Sequence, residues 1–171
     1  LGCDIVKIYC DQNGIFKRGA EPLPENLSDL SALVIRENCD IGFAVDPDSD
    51  RLAIIDENGK PLGEEYTLVL AAAGYLSQKE NSEVLVTNLS SSIALDKLAD
   101  KYNSTVLRSA VGEINVVNKM VECNSSFGGE GNGGVILKDA HLGRDALVGA
   151  ALILSYLSHQ KTTLSETHKA L

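Results

Sequence analysis

Gly42-Phe-Ala-Val-Asp-Pro-Asp-Ser-Asp-Arg-Leu-Ala-Ile54 is the stretch of the chain that decides its fold. Two apolar runs, Ile41–Val45 and Leu52–Asp56, flank a polar loop and predict a pair of strands. The loop carries three carboxylates at alternate positions: Asp46, Asp48 and Asp50. Like charges this close repel one another, so we expect a bound cation to neutralise them.

The residue types in this loop narrow the choice of cation and site. Carboxylate oxygens without a nearby His or Cys favour Mg²⁺, with Ca²⁺ or Mn²⁺ as alternatives. An EF-hand loop starting at Asp46 would end at Glu57, but Arg51 stands where that loop requires glycine. A haloacid-dehalogenase-like phosphatase would use Asp46 and Asp48, but Asp50 stands where Thr or Val is expected. A solvated acidic turn is the remaining alternative.

Composition excludes several classes of protein. The chain has 171 residues, 44% of them hydrophobic, which suits one globular domain or two small ones. Its net charge of −9 argues against nucleic acid or an anionic membrane as the main partner. The four cysteines and three histidines form no metal-binding pattern, so we expect structural thiols and a cytoplasmic location. The chain starts without Met or a signal pattern, so we expect it to be part of a longer protein.

Short β-rich runs alternate with longer helical patterns, which predicts an α/β fold. We expect mixed, mostly parallel sheets with flanking helices, arranged as one partial and one complete βαβαββ-type unit. Besides the pair around the acidic loop, strands are predicted over 5–9, 83–87, 105–108 and 135–137, and helices over 27–38, 65–76, 91–102, 113–122 and 144–157. The residues expected to face inward on the last two helices are Ile114, Val117 and Val121, and Leu147, Ala151 and Leu154.

The two units resemble each other. When Phe43 is aligned with Phe127, a shift of 84 residues, Phe43-Ala-Val-Asp46-Pro-Asp48 lies over Phe127-Gly-Gly-Glu130-Gly-Asn132. Each copy then reads as helix, strand, polar loop and strand, with an acidic residue at the start of the loop. This pattern predicts an internal repeat of which the first copy is truncated.

The acidic loop also resembles the metal loop of the α-D-phosphohexomutases, usually written D-G-D-G-D-R. That family includes phosphoglucomutases, phosphomannomutases and phosphoglucosamine mutases. Its pattern continues along the chain in these segments: Asp56-Glu-Asn-Gly59, Gly63-Glu64, Val111-Gly112-Glu113, Gly129-Glu-Gly-Asn-Gly-Gly134 and Gly143-Arg-Asp145. The resemblance covers almost the whole chain and implies an isomerase that acts by phosphoryl transfer.

The resemblance implies a role for each residue of the acidic loop. Asp46, Asp48 and Asp50 would bind Mg²⁺ together with a phosphoserine oxygen from another domain. Arg51 matches the family arginine beside the metal loop, which implies a catalytic role in steadying the phosphoryl group during transfer. The alternative for Arg51 is a plain ion pair with the acidic loop.

A second loop resembles the sugar-recognition loop of the family, commonly G-E-x-S-G-H. Glu130 and Asn132 match its Glu and Ser positions and could bind adjacent hydroxyls of a hexose phosphate. Gly134 replaces the family His, so no acid/base role is carried over to that position. Gly112 and Glu113 match a further substrate-facing loop. The alternative is a glycine-rich hairpin with an incidental Glu.

In family terms, residues 1–60 resemble the C-terminal part of domain two, with the metal loop, and residues 61–171 resemble domain three, with the sugar loop. The nucleophilic Ser and the phosphate-binding loop, on domains one and four, have no match in this chain. The parent enzyme is expected to interconvert hexose 1- and 6-phosphates of glucosamine, mannose or glucose through a bisphosphate, and this chain alone is expected to be inactive. The alternative is a non-catalytic cation-binding α/β module.

The truncated first unit carries a further expectation. A strand over residues 5–9 would have an open edge, because its own opening strand is missing. Open edges recruit other strands, so we expect the chain to self-associate there or the segment to detach.

Overall fold

The computed structural model describes residues 2–171 and contains two sheets surrounded by helices. The strands are β1 (Ile41–Val45), β2 (Leu52–Asp56), β3 (Val84–Asn88), β4 (Thr105–Ser109), β5 (Phe127–Glu130) and β6 (Gly134–Leu137). The helices are α1 (Ser28–Arg36), α2 (Glu64–Leu76), α3 (Ala94–Lys101), α4 (Glu113–Glu122), α5 (Ala146–His159) and α6 (Leu164–Ala170).

The sheet topology confirms the predicted fold class. β1 and β2 form an antiparallel pair, which is the partial unit. The second sheet has the order β4-β3-β5-β6, in which β3 is parallel to both β4 and β5. β6 returns antiparallel to β5, which completes the βαβαββ plan. The carboxyl ends of the parallel strands therefore meet at one edge, where ligand sites of α/β sheets form.

Helix α2, which is apolar along most of its length, lies at the centre of the main core. Ten of its residues are buried, from Thr67 to Leu76. It packs against α5 so closely that a Cβ on Gly74 would lie 2.4 Å from the carbonyl oxygen of Leu152. A side chain at Gly74 would therefore force the two helices apart.

Three helices end in the same way before a strand. Asn38, Asn103 and Asn124 follow α1, α3 and α4, and each has a φ of 52° or 53°. The residue after each Asn donates its N–H to a carbonyl five residues back, at 2.9 Å from Cys39 to Val34 and 2.8 Å from Ser125 to Met120. This is the Schellman pattern, and Asn tolerates the left-handed conformation that it needs.

The predicted strand over residues 5–9 is wrong. A strand needs a neighbour to pair its N–H and C=O groups, and none of the strands in residues 2–171 is paired with this segment. Residues 2–22 instead run as irregular chain, with Ile5 and Val6 exposed. The open edge expected beside this strand has no counterpart there.

The face predicted for α4 is wrong at two of its three positions. Ile114 and Val121 are exposed, whereas Val117 is partly buried and packs against the core cluster that contains Val116 and Met120. The helix carries apolar residues on two faces, so periodicity alone could not choose between them. The helix is oriented with Met120 toward the sheet, because the sulfur of Met120 fills the space above Gly128 where a Cβ would otherwise lie.

The face predicted for α5 fails for a similar reason. Leu147 is 72% exposed, and the buried positions are Ala146, Gly149 and Ile153. The helix is apolar on every side, so its sequence gives no clear stripe. Close contact with the sheet selects small residues such as Gly149, whose Cβ would lie 3.3 Å from Val135.

Helix α6 was not predicted, although its start carries a recognisable signal. Thr163 accepts the N–H of Glu166, and the Glu166 side chain accepts the N–H of Thr163, which is a capping box. By contrast, α1 begins after Leu27 without a side-chain cap.

The repeat is visible in the order of elements. α1, β1 and β2 correspond to α4, β5 and β6, each a helix followed by an antiparallel pair. The loop between β1 and β2 spans residues 46–51, and the loop between β5 and β6 spans residues 131–133. The ungapped alignment therefore pairs the loops only in part. None of the helices in residues 2–171 has the length and the apolar composition of a membrane span.

Candidate active site

The acidic loop is organised around the buried carboxylate of Asp46. Its Oδ1 accepts the backbone N–H of Asp50 at 3.1 Å and that of Arg51 at 3.0 Å. The N–H of Ser49, whose φ is 60°, donates to the Asp46 carbonyl oxygen at 3.1 Å. The loop thus folds back onto its own first residue, which fixes the directions of the next two aspartates.

The three loop carboxylates converge, as the sequence predicts. One carboxylate oxygen from each of Asp46, Asp48 and Asp50 lies within 4.8 Å of the others. Asp46 is buried, Asp50 is partly buried and Asp48 is exposed. The flanking elements are strands rather than helices, which excludes an EF-hand.

The first and last carboxylates of the cluster have opposite pKa shifts. Burial raises the pKa of Asp46, but hydrogen bonds from the backbone and side chain of Arg51 outweigh it, so the pKa lies below its usual value. Burial also raises the pKa of Asp50, and hydrogen bonding to Asp46 raises it further. The charge of Arg144 only partly offsets this rise.

Arg51 is held by the loop and by the irregular amino-terminal segment. Its Nε donates to Asp46 Oδ2 at 2.7 Å, and its two terminal nitrogens donate to the Glu21 carboxylate. These bonds raise the pKa of Arg51, with Glu21 as the main cause. Sequence reasoning missed Glu21, which lies in a segment without regular structure.

The glycine-rich loop begins at Glu130, which is 3% exposed. Its Oε1 accepts the side-chain amide of Asn88 at 2.6 Å and the N–H of Gly112 at 3.0 Å, and its Oε2 accepts Arg144 Nη1 at 2.9 Å. Asn132, two residues on, accepts the N–H of Gly134 at 3.3 Å. Sequence reasoning missed Asn88, although its position at the carboxyl end of β3 is a signal.

Gly112 and Glu113 reach the same place from the start of α4. Gly112 has a φ of 114°, which favours glycine, and it points its N–H at Glu130. Glu113 Oε1 accepts the backbone N–H of Arg144 at 2.8 Å. The two residues thus border the glycine-rich loop rather than a separate surface.

Arg144 joins the acidic and glycine-rich loops. Its Nη2 donates to Asp50 while its Nη1 donates to Glu130. Arg144 belongs to the segment Gly143-Arg-Asp145, which resembles the family pattern, but the resemblance implies no role for it.

Backbone contacts hold the two loops together as well. The N–H of Leu52 donates to the carbonyl oxygen of Gly133 at 3.1 Å, and the N–H of Ala146 donates to that of Ser49 at 3.1 Å. Arg51 and Gly134 form an isolated antiparallel bridge. All of the predicted site residues therefore lie around one junction between the two units.

Comparison with known families divides the chain into two matches. Residues 1–59 match the family described as phosphoglucomutase/phosphomannomutase, alpha/beta/alpha domain II. Residues 54–171 match the description for domain III of the same family.

Curated relatives match over nearly the whole chain. A Thermococcus kodakarensis protein named phosphoglucomutase/phosphomannomutase is 36% identical over 167 residues, which are 97% of this chain and 36% of that protein. A Clostridium botulinum phosphoglucosamine mutase is 34% identical over 170 residues, 97% of this chain and 37% of its own length. The chain thus spans little more than a third of these relatives.

A solved structure gives the same result for the fold. The crystal structure of a phosphoglucomutase/phosphomannomutase family protein from Burkholderia thailandensis matches with a TM-score of 0.78 and 27% identity. The match covers 89% of this chain and 33% of the other.

Proposed function

Because the chain belongs to the phosphoglucomutase/phosphomannomutase family, we propose that it supplies the metal loop and the sugar loop of an enzyme that interconverts hexose 1- and 6-phosphates. The observation that carries this proposal is the cluster of Asp46, Asp48 and Asp50, joined to Glu130 through Arg144. In this proposal residues 1–60 belong to the metal-loop domain and residues 61–171 to the sugar-loop domain.

The acidic cluster fits Mg²⁺. It offers three hard oxygen donors within 4.8 Å of one another, and the exposed Asp48 gives a solvated ion a path to the buried Asp46. When bound, Mg²⁺ withdraws charge from a phosphoryl group in transfer. Mn²⁺ and Ca²⁺ use the same donors and serve as alternatives in binding experiments.

Arg51 is the candidate catalytic residue of the loop. Its Nε is committed to Asp46, so the guanidinium has a fixed direction. Its terminal nitrogens bind Glu21, whose side chain is 53% exposed. Exposed ion pairs contribute little stability, so a phosphoryl group can displace Glu21 at low cost. Arg51 can then donate two parallel hydrogen bonds to phosphoryl oxygens.

Glu130, Asn132, Gly112 and Glu113 are the candidate sugar-binding residues. A carboxylate has about four acceptor positions, and protein groups use three at Glu130. A sugar hydroxyl can therefore donate to Glu130 without displacing the Asn88 or Gly112 bonds. The assay described next compares glucosamine, mannose and glucose phosphates and so determines which hexose is preferred.

The test is an assay of the whole protein for mutase activity that depends on glucose 1,6-bisphosphate, with all three hexose 1-phosphates as substrates. Asp48→Asn removes an exposed carboxylate from the proposed metal site and should weaken Mg²⁺ binding. We therefore expect kcat to fall at least about tenfold. Asp40→Asn, an exposed acid next to β1, is the matched control and should leave kcat unchanged. A folded, inactive whole protein that still binds Mg²⁺ would favour the non-catalytic module.

The chain alone should show no turnover, because the phosphoserine motif of the family has no match in its sequence. Phosphate release by this chain that disappears in Asp46→Asn would favour the phosphatase alternative instead.

Self-association of the chain stays a prediction, which light scattering can measure. The four cysteines are free, which supports a cytoplasmic location as part of the same proposal.

A further inference from the structure

Arg144 lies where three acidic segments meet. Its side chain is 18% exposed, and it contacts Asp50 of the acidic loop and Glu130 of the glycine-rich loop. Its backbone N–H donates to Glu113 at the start of α4. A single guanidinium therefore connects the residues proposed to bind the cation with those proposed to bind the sugar.

The position of this guanidinium is built into the fold. A Cβ on Gly134 would lie 2.2 Å from Arg144 Cδ, so only glycine at the start of β6 lets the side chain cross there. Arg144 Nε is buried without a hydrogen-bond acceptor, and the nearest Glu113 oxygen is 3.5 Å away. A buried unsatisfied donor costs stability. The arginine is thus held by the carboxylates at its two terminal nitrogens rather than by a fully satisfied pocket.

We propose that Arg144 is a positioning residue that couples cation binding in the acidic loop to the placement of Glu130. The inference rests on the proposed metal site. A cation bound by Asp50 competes with the guanidinium for the same carboxylate and repels it. The Arg144 side chain then loses its hydrogen bond to Asp50 and keeps only the one to Glu130. A movement of the guanidinium away from the cation therefore displaces the Glu130 carboxylate.

Two consequences follow for binding. First, Arg144 weakens cation binding in the isolated chain, because it must give up Asp50. Second, a displacement of Glu130 changes the surroundings of Gly112 and Asn88, since both donate hydrogen bonds to its carboxylate. Linkage requires the coupling to be reciprocal, so occupation of the sugar loop changes cation affinity by the same factor.

The experiment titrates the chain with Mg²⁺ and follows its backbone and side-chain amides by NMR. In the wild-type chain, the amides of Asp50 and Arg51 should shift with the same midpoint as Gly112 N–H and the Asn88 side-chain amide. Arg144→Gln should tighten Mg²⁺ binding at least about fivefold and abolish the shifts at Gly112 and Asn88. Lys138→Gln removes one positive charge just beyond the far end of β6 and should do neither.

Arg144→Lys covers the case in which the Gln variant does not fold. It keeps the charge but not the planar fork that bridges two carboxylates, so the acidic loop should still respond to Mg²⁺ without Gly112 and Asn88. If Gly112 and Asn88 follow Mg²⁺ as well in this variant as in the wild type, or do not follow it in the wild type, the coupling is refuted and the metal site stands. If no amide between Asp46 and Arg51 responds to Mg²⁺, the proposed metal site fails and the coupling with it.

Discussion

The β1–β2 and β5–β6 hairpins follow one plan but hold their acidic residues in different ways. Asp46 finds its partners inside its own loop, in Asp50 and Arg51. Glu130 finds its partners in three separate segments, at Asn88, Gly112 and Arg144. The same helix, strand, loop and strand thus support an acidic residue with local partners in one case and an acidic residue with distant partners in the other.

This difference teaches where each loop gets its rigidity. The hydrogen bonds that the Asp46 carboxylate accepts span at most five residues, so this part of the first loop can form as soon as β1 and β2 pair. The second loop needs both the end of β3 and the segment before α5 to be in place. Asn88 is 42 residues from Glu130, and Arg144 is 14 residues from it. A perturbation of the second hairpin should therefore spread further through the fold.

The largest expected effect separates the two acidic residues. Glu130→Gln turns an amide donor toward Arg144 in a buried site and should cost about 4 kcal/mol of unfolding free energy. Asp46→Asn should cost only about 2 kcal/mol, because Arg51 keeps Glu21 as a partner and its side chain is 22% exposed. Urea denaturation of both variants in EDTA measures the difference. An Asp46 variant that costs as much as the Glu130 variant would contradict the comparison.

The same difference explains what the sequence could predict. Strands β1 and β2 lie at their predicted bounds, and the convergence of the three aspartates follows from a contiguous pattern with strand-like flanks. The bond between Arg144 and Asp50 joins residues 94 apart, and local patterns hold no information about it. The contact between Glu21 and Arg51 could not be predicted, because Glu21 lies in an irregular segment whose sequence has no helical or strand periodicity.

The inward faces predicted for α4, apart from Val117, and for α5 were wrong for a related reason. Both helices have more apolar positions than one face can bury, so tertiary contacts decide their orientation. The choice of Met120 on α4 depends on the space above Gly128, which belongs to another strand. Helix existence was a local property here, whereas helix orientation was a property of the whole core.

The second position of each hairpin offers a sharper test. Gly128→Ala would place a Cβ 2.8 Å from the carbonyl oxygen of Val86, which is backbone in the central strand and cannot move away. We expect it to cost about 3 kcal/mol. Gly42→Ala would meet only side chains, nearest the Cγ2 of Val34 at 2.7 Å, and should cost about 1 kcal/mol.

Thermal unfolding of both alanine variants measures these costs. Equal losses would mean that the two-stranded pair is as tightly constrained as the four-stranded sheet, against the distinction drawn between the two hairpins.

The helix that follows each hairpin gives a smaller difference. Asp145 caps α5, accepting the N–H groups of Leu147 and Val148 at 2.7 and 3.0 Å, whereas α2 begins after Gly63 without a side-chain cap. Asp145→Ala should cost about 1 kcal/mol. Because the N–H of Ala146 donates to Ser49, the variant should also speed amide exchange in the acidic loop.

Thr163→Ala is the control for this prediction. It removes the cap of α6, which does not contact the acidic loop through such a bond, and should cost a similar amount without faster exchange at residues 46–51. Unchanged exchange in Asp145→Ala would show that the first loop needs no support from the second unit, and is even more self-contained than the structure indicates.

The smallest effect concerns the far end of the first hairpin, which α6 holds in place. The N–H of Ser165 donates to Glu57 at 3.1 Å, and the His168 ring packs edge-on against Tyr66 with centroids 4.0 Å apart. Burial lowers the pKa of His168, and the charge of Lys60 lowers it further.

At the corresponding end of the β5–β6 hairpin, the N–H of His141 donates to Leu137 and its ring contacts Asp145 at 3.1 Å. Because that His141 side chain is 52% exposed, we expect the first hairpin to be the more sensitive of the two to mild acid.

The sign of the response follows from proton linkage. The pKa of His168 lies below its unfolded value of 6.5, so the unfolded state binds more protons between the two pKa values. The stability of the α6 contact is therefore full above pH 6.5 and falls as the pH drops from there through the folded pKa. The opposing charge of Asp56 and the partial exposure of His168 keep the loss small. The pKa of Glu57 is below its usual 4.5, so its own titration lies at lower pH. The protection of residues 164–170 and 56–59 against amide exchange, taken relative to the intrinsic rate at each pH, should therefore fall as the pH is lowered from 7.5 to 5.5, while the protection of residues 127–137 stays constant. His168→Gln should remove this difference, and an unchanged pH dependence in that variant would assign the loosening to a group other than His168.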